Sequence, residues 1–200
     1  MNMIINNLDK QIQFKLVYYG PAMSGKTTTL KALFKHFGKE GQIQSIESTV
    51  NRTLFFDYGT IMFQNKNWDV KLNLYTTTGQ DFYCVTRPTI IQATDGIIFV
   101  VDSQNKARER NVISWKELNR YFTQQTITNI PIIIAFNKQD KLDKFKIQPF
   151  LEEIGYNNYN NIAIKNTIAI NGEGVLESFE EIISLVIKSS YEKEFLIESN

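Results

Sequence analysis

Gly20-Pro-Ala-Met-Ser-Gly25-Lys26-Thr27 stands between two segments of different character. Before it, Phe14-Lys-Leu-Val-Tyr-Tyr19 is apolar and rich in strand-forming residues, so it predicts a strand. After it, Leu30, Leu33, Phe34 and Phe37 recur at helical spacing until Gly38, which predicts a helix over Lys26–Phe37. A strand, a turn bounded by glycines and a helix opening on Lys-Thr make a phosphate-binding loop. Its backbone N–H groups curl around phosphate oxygens, and the helix turns its positive end toward them. Gly20, Ala22, Met23, Ser24, Gly25 and Thr28 are the expected lining. Lys26 is expected to bring a point charge to the outer phosphates, and the Thr27 hydroxyl to ligate Mg²⁺.

A second strand end supplies a different chemistry. Ile130-Pro-Ile-Ile-Ile-Ala-Phe136 is a short continuous apolar run, typical of a buried parallel strand, and it ends at Asn137-Lys-Gln-Asp140. A carboxylate at Asp140 can accept two hydrogen bonds from guanine, one from the ring N–H and one from the exocyclic amine. Adenine offers neither donor, and an unpaired buried charge costs on the order of 1–3 kcal/mol or more. The methylene stem of Lys138 can lie over the base, and Asn137 can tie this loop to the phosphate loop. The two motifs together predict that GTP or GDP is bound with Mg²⁺.

Other strand-like runs fall at Leu54–Phe63, Val70–Tyr75, Gly96–Asp102 and Ile162–Ile170. Helical patterns alternate with them near Arg87–Ala93, at Ala107–Thr123, near Ile147–Ile154 and at Val175–Tyr191. Such alternation predicts an α/β domain with a mostly parallel sheet and helices on both faces. Gln64-Asn-Lys-Asn67 reads as a hairpin-like connection, so the pair it joins should be antiparallel and the sheet mixed. Ligands in such sheets bind at the carboxyl ends of the strands. The phosphate loop, a turn at Thr76–Gln80 and the Asn137 tetrad all follow strand ends and should converge on one rim. The apolar stripe Val175, Phe179, Ile182, Ile183, Val186 and Ile187 reads as a face packed on the sheet, with Glu192–Asn200 a frayed tail.

Composition narrows the alternatives. The chain has 200 residues, 42% of them hydrophobic, enough for one domain with an ample core. Its formal net charge of +1, without a long run of one sign, argues against a nucleic-acid-binding surface. A single cysteine, Cys84, excludes an internal disulfide framework and suits a reducing, cytoplasmic setting. No apolar stretch reaches the roughly 20 residues that span a bilayer. Met1-Asn-Met-Ile is not a signal peptide, and neither end carries a myristoyl or prenyl motif. Any membrane recruitment is then expected to come through partners, and the chain to be a monomer or weak dimer.

Tyr18-Tyr-Gly-Pro-Ala-Met-Ser-Gly-Lys-Thr-Thr28, Arg52-Thr-Leu-Phe-Phe-Asp57, Leu74-Tyr-Thr-Thr-Thr-Gly-Gln80, Asp95-Gly-Ile-Ile-Phe-Val-Val-Asp102 and Asn137-Lys-Gln-Asp140 resemble the small Ras-like GTPases. Arg52-Thr-Leu-Phe-Phe-Asp57 points within them to the MglA-like branch of bacterial and archaeal polarity GTPases, and the likeness runs from Phe14 to Ile187. The resemblance implies a P-loop fold with a mixed six-stranded sheet and one antiparallel edge strand. It implies that Thr53 closes the first switch on Mg²⁺ and the γ-phosphate. It implies that Gln80, after Gly79, orients the attacking water, and that Arg52 acts as an arginine finger within the chain, worth about 10³–10⁵ in rate. Ala169 and Ile170 fall where the family's last loop offers a backbone N–H to the guanine oxygen. The branch also implies a roadblock-fold (MglB-like) regulator and effectors that read the switches.

Three residues depart from the common small-GTPase pattern. Thr76 stands where most members carry an aspartate that holds Mg²⁺ through water, and a hydroxyl is a poorer partner for a hard cation. Weaker Mg²⁺ dependence is expected, and Thr76→Asp should strengthen it; Asp57 could contribute from the neighbouring strand. Ala22 puts a methyl group where glycine is common, close to Gln80 and Arg52. A displacement of about 1 Å there can cost ~10²-fold in rate. Pro88 fits the first turn of a helix starting near Arg87, leaving Phe82 and Tyr83 in an irregular segment. A GTP-loaded scaffold with little hydrolysis remains the rival reading; a nucleotide kinase would leave the Asn137 tetrad without a role.

Overall fold

A computed structural model describes residues 3–46, 56–77 and 87–198. Its strands are β1 (Ile4–Asn6), β2 (Gln11–Tyr19), β3 (Gln44–Ile46), β4 (Phe56–Phe63), β5 (Asp69–Thr76), β6 (Gly96–Asp102), β7 (Ile132–Asn137) and β8 (Ile162–Asn166). The helices are α1 (Lys26–His36), α2 (Arg87–Ile91), α3 (Arg108–Arg120), α4 (Gln124–Ile127), α5 (Ile147–Glu153) and α6 (Val175–Glu198). The expected sites Arg52, Thr53, Gly79 and Gln80, together with Phe82, Tyr83 and Cys84, lie outside the described residues.

The strands form one sheet in the order β3-β4-β5-β2-β6-β7-β8, with β1 against β2. Strands β5, β2, β6, β7 and β8 run parallel, as the alternation of strands and helices predicts. The antiparallel pair is where the short connection placed it: Tyr58 faces Tyr75 and Phe63 faces Val70. The six expected strands are all present, and two three-residue strands join them. β3 pairs antiparallel with β4, so the edge lies one strand further out than expected. β1 pairs with Gln11–Gln13, just short of Leu16, where β6 takes over the same side of β2. Three-residue strands are too short to carry a readable alternation.

Side chains alternate across the parallel strands and build a core on each face. On one face Val17, Phe99, Val101, Ile132, Ile134 and Phe136 pack with Trp115 and Leu118 of α3 and Phe150 of α5. On the other, Leu16, Leu74, Ile98, Val100 and Ile133 pack with Leu30, Leu33 and Phe34 of α1 and Phe179 and Ile182 of α6. Most of these side chains are fully buried, each stabilising by roughly 1.5–3 kcal/mol relative to exposure. Pro88 lies in the first turn of α2, where its missing N–H costs nothing.

Two boundaries shift furthest from the sequence expectation. The run Ile162–Ile170 is not one strand: β8 stops at Asn166, and the chain folds into a turn closed by an Ile168–Glu173 bridge. Its cause is Asn137, whose side-chain oxygen accepts from Thr167 Oγ1 at 3.3 Å and from the Ala169 N–H at 2.9 Å. In place of a frayed tail after Tyr191, α6 continues as helix to Glu198. No helix among the described residues is long and apolar enough to cross a membrane.

Candidate nucleotide site

β2 delivers the chain to the sheet rim, where Gly20 (φ 142°) and Gly25 (φ 107°) bound the loop into α1. A Cβ on Gly20 would lie 2.4 Å from the Val100 carbonyl oxygen, and one on Gly25 would lie 2.2 Å from Asn137 Nδ2. Both glycines are therefore required by backbone geometry and by close neighbours. Met23, also at positive φ, carries an exposed side chain at the tip. Lys26 is buried, and its ammonium donates to the carbonyls of Gly20 at 2.9 Å and Pro21 at 2.7 Å. Burial lowers its pKa to about 7; the nearby Arg87 adds to the shift and Asp57 opposes it. An anion in the loop would restore the full charge, as expected of a lysine that meets phosphate.

Thr27, in the first turn of α1, points at β4. Its hydroxyl donates to Asp57 Oδ2 at 2.6 Å. The Thr76 hydroxyl, from β5, donates to the same oxygen at 3.0 Å and accepts from the Asp57 N–H at 2.9 Å. Three oxygen-bearing side chains from three elements thus meet beside the phosphate loop, and hard oxygen ligands of this kind suit Mg²⁺. The carboxylate absent from the second switch stands one strand away, on Asp57, brought opposite by the antiparallel β4–β5 pairing. Asp57→Asn is expected to weaken the Mg²⁺ dependence of nucleotide affinity by about 10–100-fold, the range for losing such a support. Nucleotide release under EDTA titration checks it; an unchanged Mg²⁺ requirement would exclude Asp57 from the cation site.

The third arm is the end of β7. Asn137 is buried and joins three segments through one amide: its Nδ2 donates to the Ser24 carbonyl at 2.8 Å, while its Oδ1 holds Thr167 and Ala169. Lys138 takes a left-handed backbone conformation (φ 66°), and its ammonium pairs with Asp102 at 2.7 Å, at the end of β6. Asp140 faces outward beside Lys141, which donates to its Oδ2 at 2.8 Å and holds its carboxyl below the usual carboxylate range. It is consequently an ionised acceptor at neutral pH. Ala169 is buried with its N–H given to Asn137, whereas Ile170 stands 83% exposed next to it. The structure therefore brings together Gly20, Ala22 to Thr28, Asn137, Lys138, Asp140, Ala169 and Ile170 on one rim.

Asp57 stands where the sequence reading allowed it to contribute, on the strand next to Thr76. One further residue beside the site was not legible in the sequence. Arg87, buried at the start of α2, donates through Nη1 to both carboxylate oxygens of Glu117 on α3, which also accepts from Tyr121 Oη at 2.7 Å. Thirty residues separate Arg87 from Glu117, and no local pattern links them.

The ADP-ribosylation factor family model matches residues 1–186. The chain is 31% identical over 188 residues to the mutual gliding-motility protein MglA of Myxococcus xanthus, covering 92% of this chain and 95% of that one. It is 30% identical over 187 residues to the Ras-related protein Rab-5A of Dictyostelium discoideum, covering 92% and 86% of the two chains. It is 27% identical over 190 residues to the ADP-ribosylation factor-like protein 3 of Saccharomyces cerevisiae, covering 90% and 89%.

Proposed function

Because the chain belongs to the ADP-ribosylation factor family, a family of small GTPases, we propose that it works as a molecular switch of the MglA-like kind, set by GTP binding and reset by hydrolysis. The observation that carries this reading is Asn137, whose one amide fixes the phosphate loop and both base-side loops at a common rim. In this reading Asp140 accepts from guanine, the Lys138 stem covers the base, and Ile170 presents its backbone N–H toward the base oxygen, the Ala169 N–H being given to Asn137. Lys26 exchanges its loop carbonyls for phosphate oxygens.

Thr27, Asp57 and Thr76 would hold Mg²⁺ with Thr53 of the first switch. When bound there, the cation would supply positive charge against the negative charge that builds up on the outer phosphates. Gln80 aligns a water for in-line attack, and Arg52 stabilises the departing charge, giving GDP and inorganic phosphate. The first switch, 40–53, and the second, 76–93, are ordered by the γ-phosphate and released when it is gone. Effectors then read the switch surface. A roadblock-fold regulator that presses Arg52 and Gln80 into place fits the branch; among polarity, motility and trafficking, the name of the Myxococcus relative favours motility.

Single-turnover hydrolysis by the purified chain tests this reading. Arg52→Ala and Gln80→Ala are each expected to slow GTP turnover by about 10²-fold or more while GTP binding persists. Ala22→Gly is expected to speed it. GTP bound tightly but turned over no faster than in water, in wild type and Ala22→Gly alike, would favour the scaffold reading. Effective competition by ATP would remove the guanine assignment altogether.

A further inference from the structure

A pocket of about 390 Å³ opens between α3 and the end of α5, toward the far end of the sheet from the nucleotide loops. Gln124 of α4 comes before β7, and Asn158 and Tyr159 come just before β8, whereas the nucleotide loops follow the other ends of those strands. None of the residues lining it takes part in the nucleotide site.

The floor is held from within. Trp115 and Ile154 are buried, and the Trp115 ring meets the half-buried Tyr159 ring edge-on at 5.2 Å. Trp115 Nε1 donates to the Ile154 carbonyl at 3.1 Å. Tyr159 Oη donates to Asn119 Oδ1 at 2.5 Å, and Asn119 Nδ2 donates to the Trp115 carbonyl at 2.8 Å. With these polar atoms already paired, the floor offers an occupant mainly aromatic and aliphatic carbon.

Around that floor the uncompensated charge is positive. Lys116 and Arg120 lie one helical turn apart on α3, and both line the pocket. Both are exposed, and among the described residues neither has an ion-pair partner. The neighbouring carboxylates are engaged elsewhere. Glu153, on the rim, pairs with Arg108 at 2.6 Å; Glu152 accepts from Gln148 Nε2 at 3.1 Å; and Glu117 holds Arg87. Ile113, 59% exposed, stands one turn before Lys116 on the same side of α3 and extends the apolar strip. An aromatic floor alone would take any apolar side chain. Two cations beside it select a segment that brings carboxylates next to its apolar anchor.

We propose that this pocket docks an acidic peptide segment of a partner protein. One large apolar or aromatic side chain seats against Trp115 and Tyr159, and flanking Asp or Glu side chains pair with Lys116 and Arg120. Docking there uses no residue of the nucleotide site, so it stands whether or not guanine is the base.

Phage display of random dodecapeptides on the purified full chain tests it, with Lys116→Glu/Arg120→Glu as counter-screen. Both positions are exposed, so the variant is expected to melt with wild type. Peptides selected on wild type are expected to carry a large apolar residue flanked by Asp or Glu. They should bind the variant about tenfold or more weakly at low ionic strength, the sum of two exposed charge pairs. That difference should shrink with added salt. In Trp68→Phe protein Trp115 is the one tryptophan left, and its emission should shift as the selected peptide saturates the protein. No enriched peptide, peptides without acidic bias, binding indifferent to the double substitution, or Trp115 emission unmoved at saturation would overturn the proposal. So would a dimer, or adsorption to phosphatidylserine vesicles, that wild type shows and the variant loses, because a second copy or a membrane would then be the occupant.

Discussion

Asp140→Asn is expected to move the base preference from guanine to xanthine, by about 10³-fold or more in relative affinity. Guanine presents two donors to this position, its ring N–H and its exocyclic amine. An ionised Asp140 matches them with two acceptor oxygens, and the neighbouring Lys141 keeps it ionised. Asparagine keeps one acceptor and turns the other into a donor. Against guanine that donor meets an amine, and two donors are left facing each other. Xanthine carries a carbonyl where guanine carries the amine, so the same donor finds an acceptor. A site whose polar groups are left unpaired rejects the wrong ligand far more strongly than a site that merely lacks a contact. Asp140 belongs to no internal tie of the rim, so its exchange leaves the Asn137 bonds to Ser24 and Ala169 in place. Competition of GTP and XTP on both proteins decides the matter. Retained preference for GTP in the variant would mean that Asp140 does not touch the base.

The parts of the site that were legible in sequence share one property: each is built from consecutive residues. Gly20 to Thr28 and Asn137 to Asp140 carry their geometry in their own spacing, because glycine at fixed offsets and a strand-to-loop change leave local marks. The parallel strands were legible for a related reason. Ile132, Ile133 and Ile134 are all buried, so their continuous apolar run was a direct record of two covered faces. What stayed hidden depends on pairing across the chain. Asp57 was readable as a neighbour-strand candidate, but not its bond to Thr27, which it reaches only because β4 folds back antiparallel on β5. The end of β8 at Asn166 is set by an amide 29 residues earlier in sequence, Asn137, which captures the following turn and overrides the strand propensity of Ile168 and Ile170.

Breaking the Arg87–Glu117 pair from one side is expected to cost stability on the scale of truncating a large core side chain. Arg87 is the first described residue after 78–86, and its guanidinium is buried with a side-chain exposure of 6%; Glu117 is 23% exposed. Glu117→Ala removes the carboxylate whose two oxygens accept from Nη1 of a cation that stays charged at any accessible pH. Removing one member of such a buried pair costs about 3–5 kcal/mol, and the partial exposure of Glu117 favours the lower end. For a chain of this size that corresponds to a fall in Tm of roughly 6–12 °C. The double replacement Arg87→Met with Glu117→Leu should recover most of the loss, since apolar packing can substitute for a buried ion pair. The same pair sets a pH dependence. Burial alone would raise the Glu117 pKa, but the hydrogen bonds from Arg87 and Tyr121 outweigh it and hold the carboxyl below its ordinary 4.5. A carboxylate depressed in the folded state contributes stability that is present above 4.5 and is lost as pH falls through the lower, folded-state value. Glu117→Gln should therefore be less stable than wild type near neutrality, and the two should converge as the pH drops below 4.5. Thermal melts of both proteins from neutral to acidic pH measure it, and a gap that stays constant across that window would mean the pair is not what holds the start of α2 to α3.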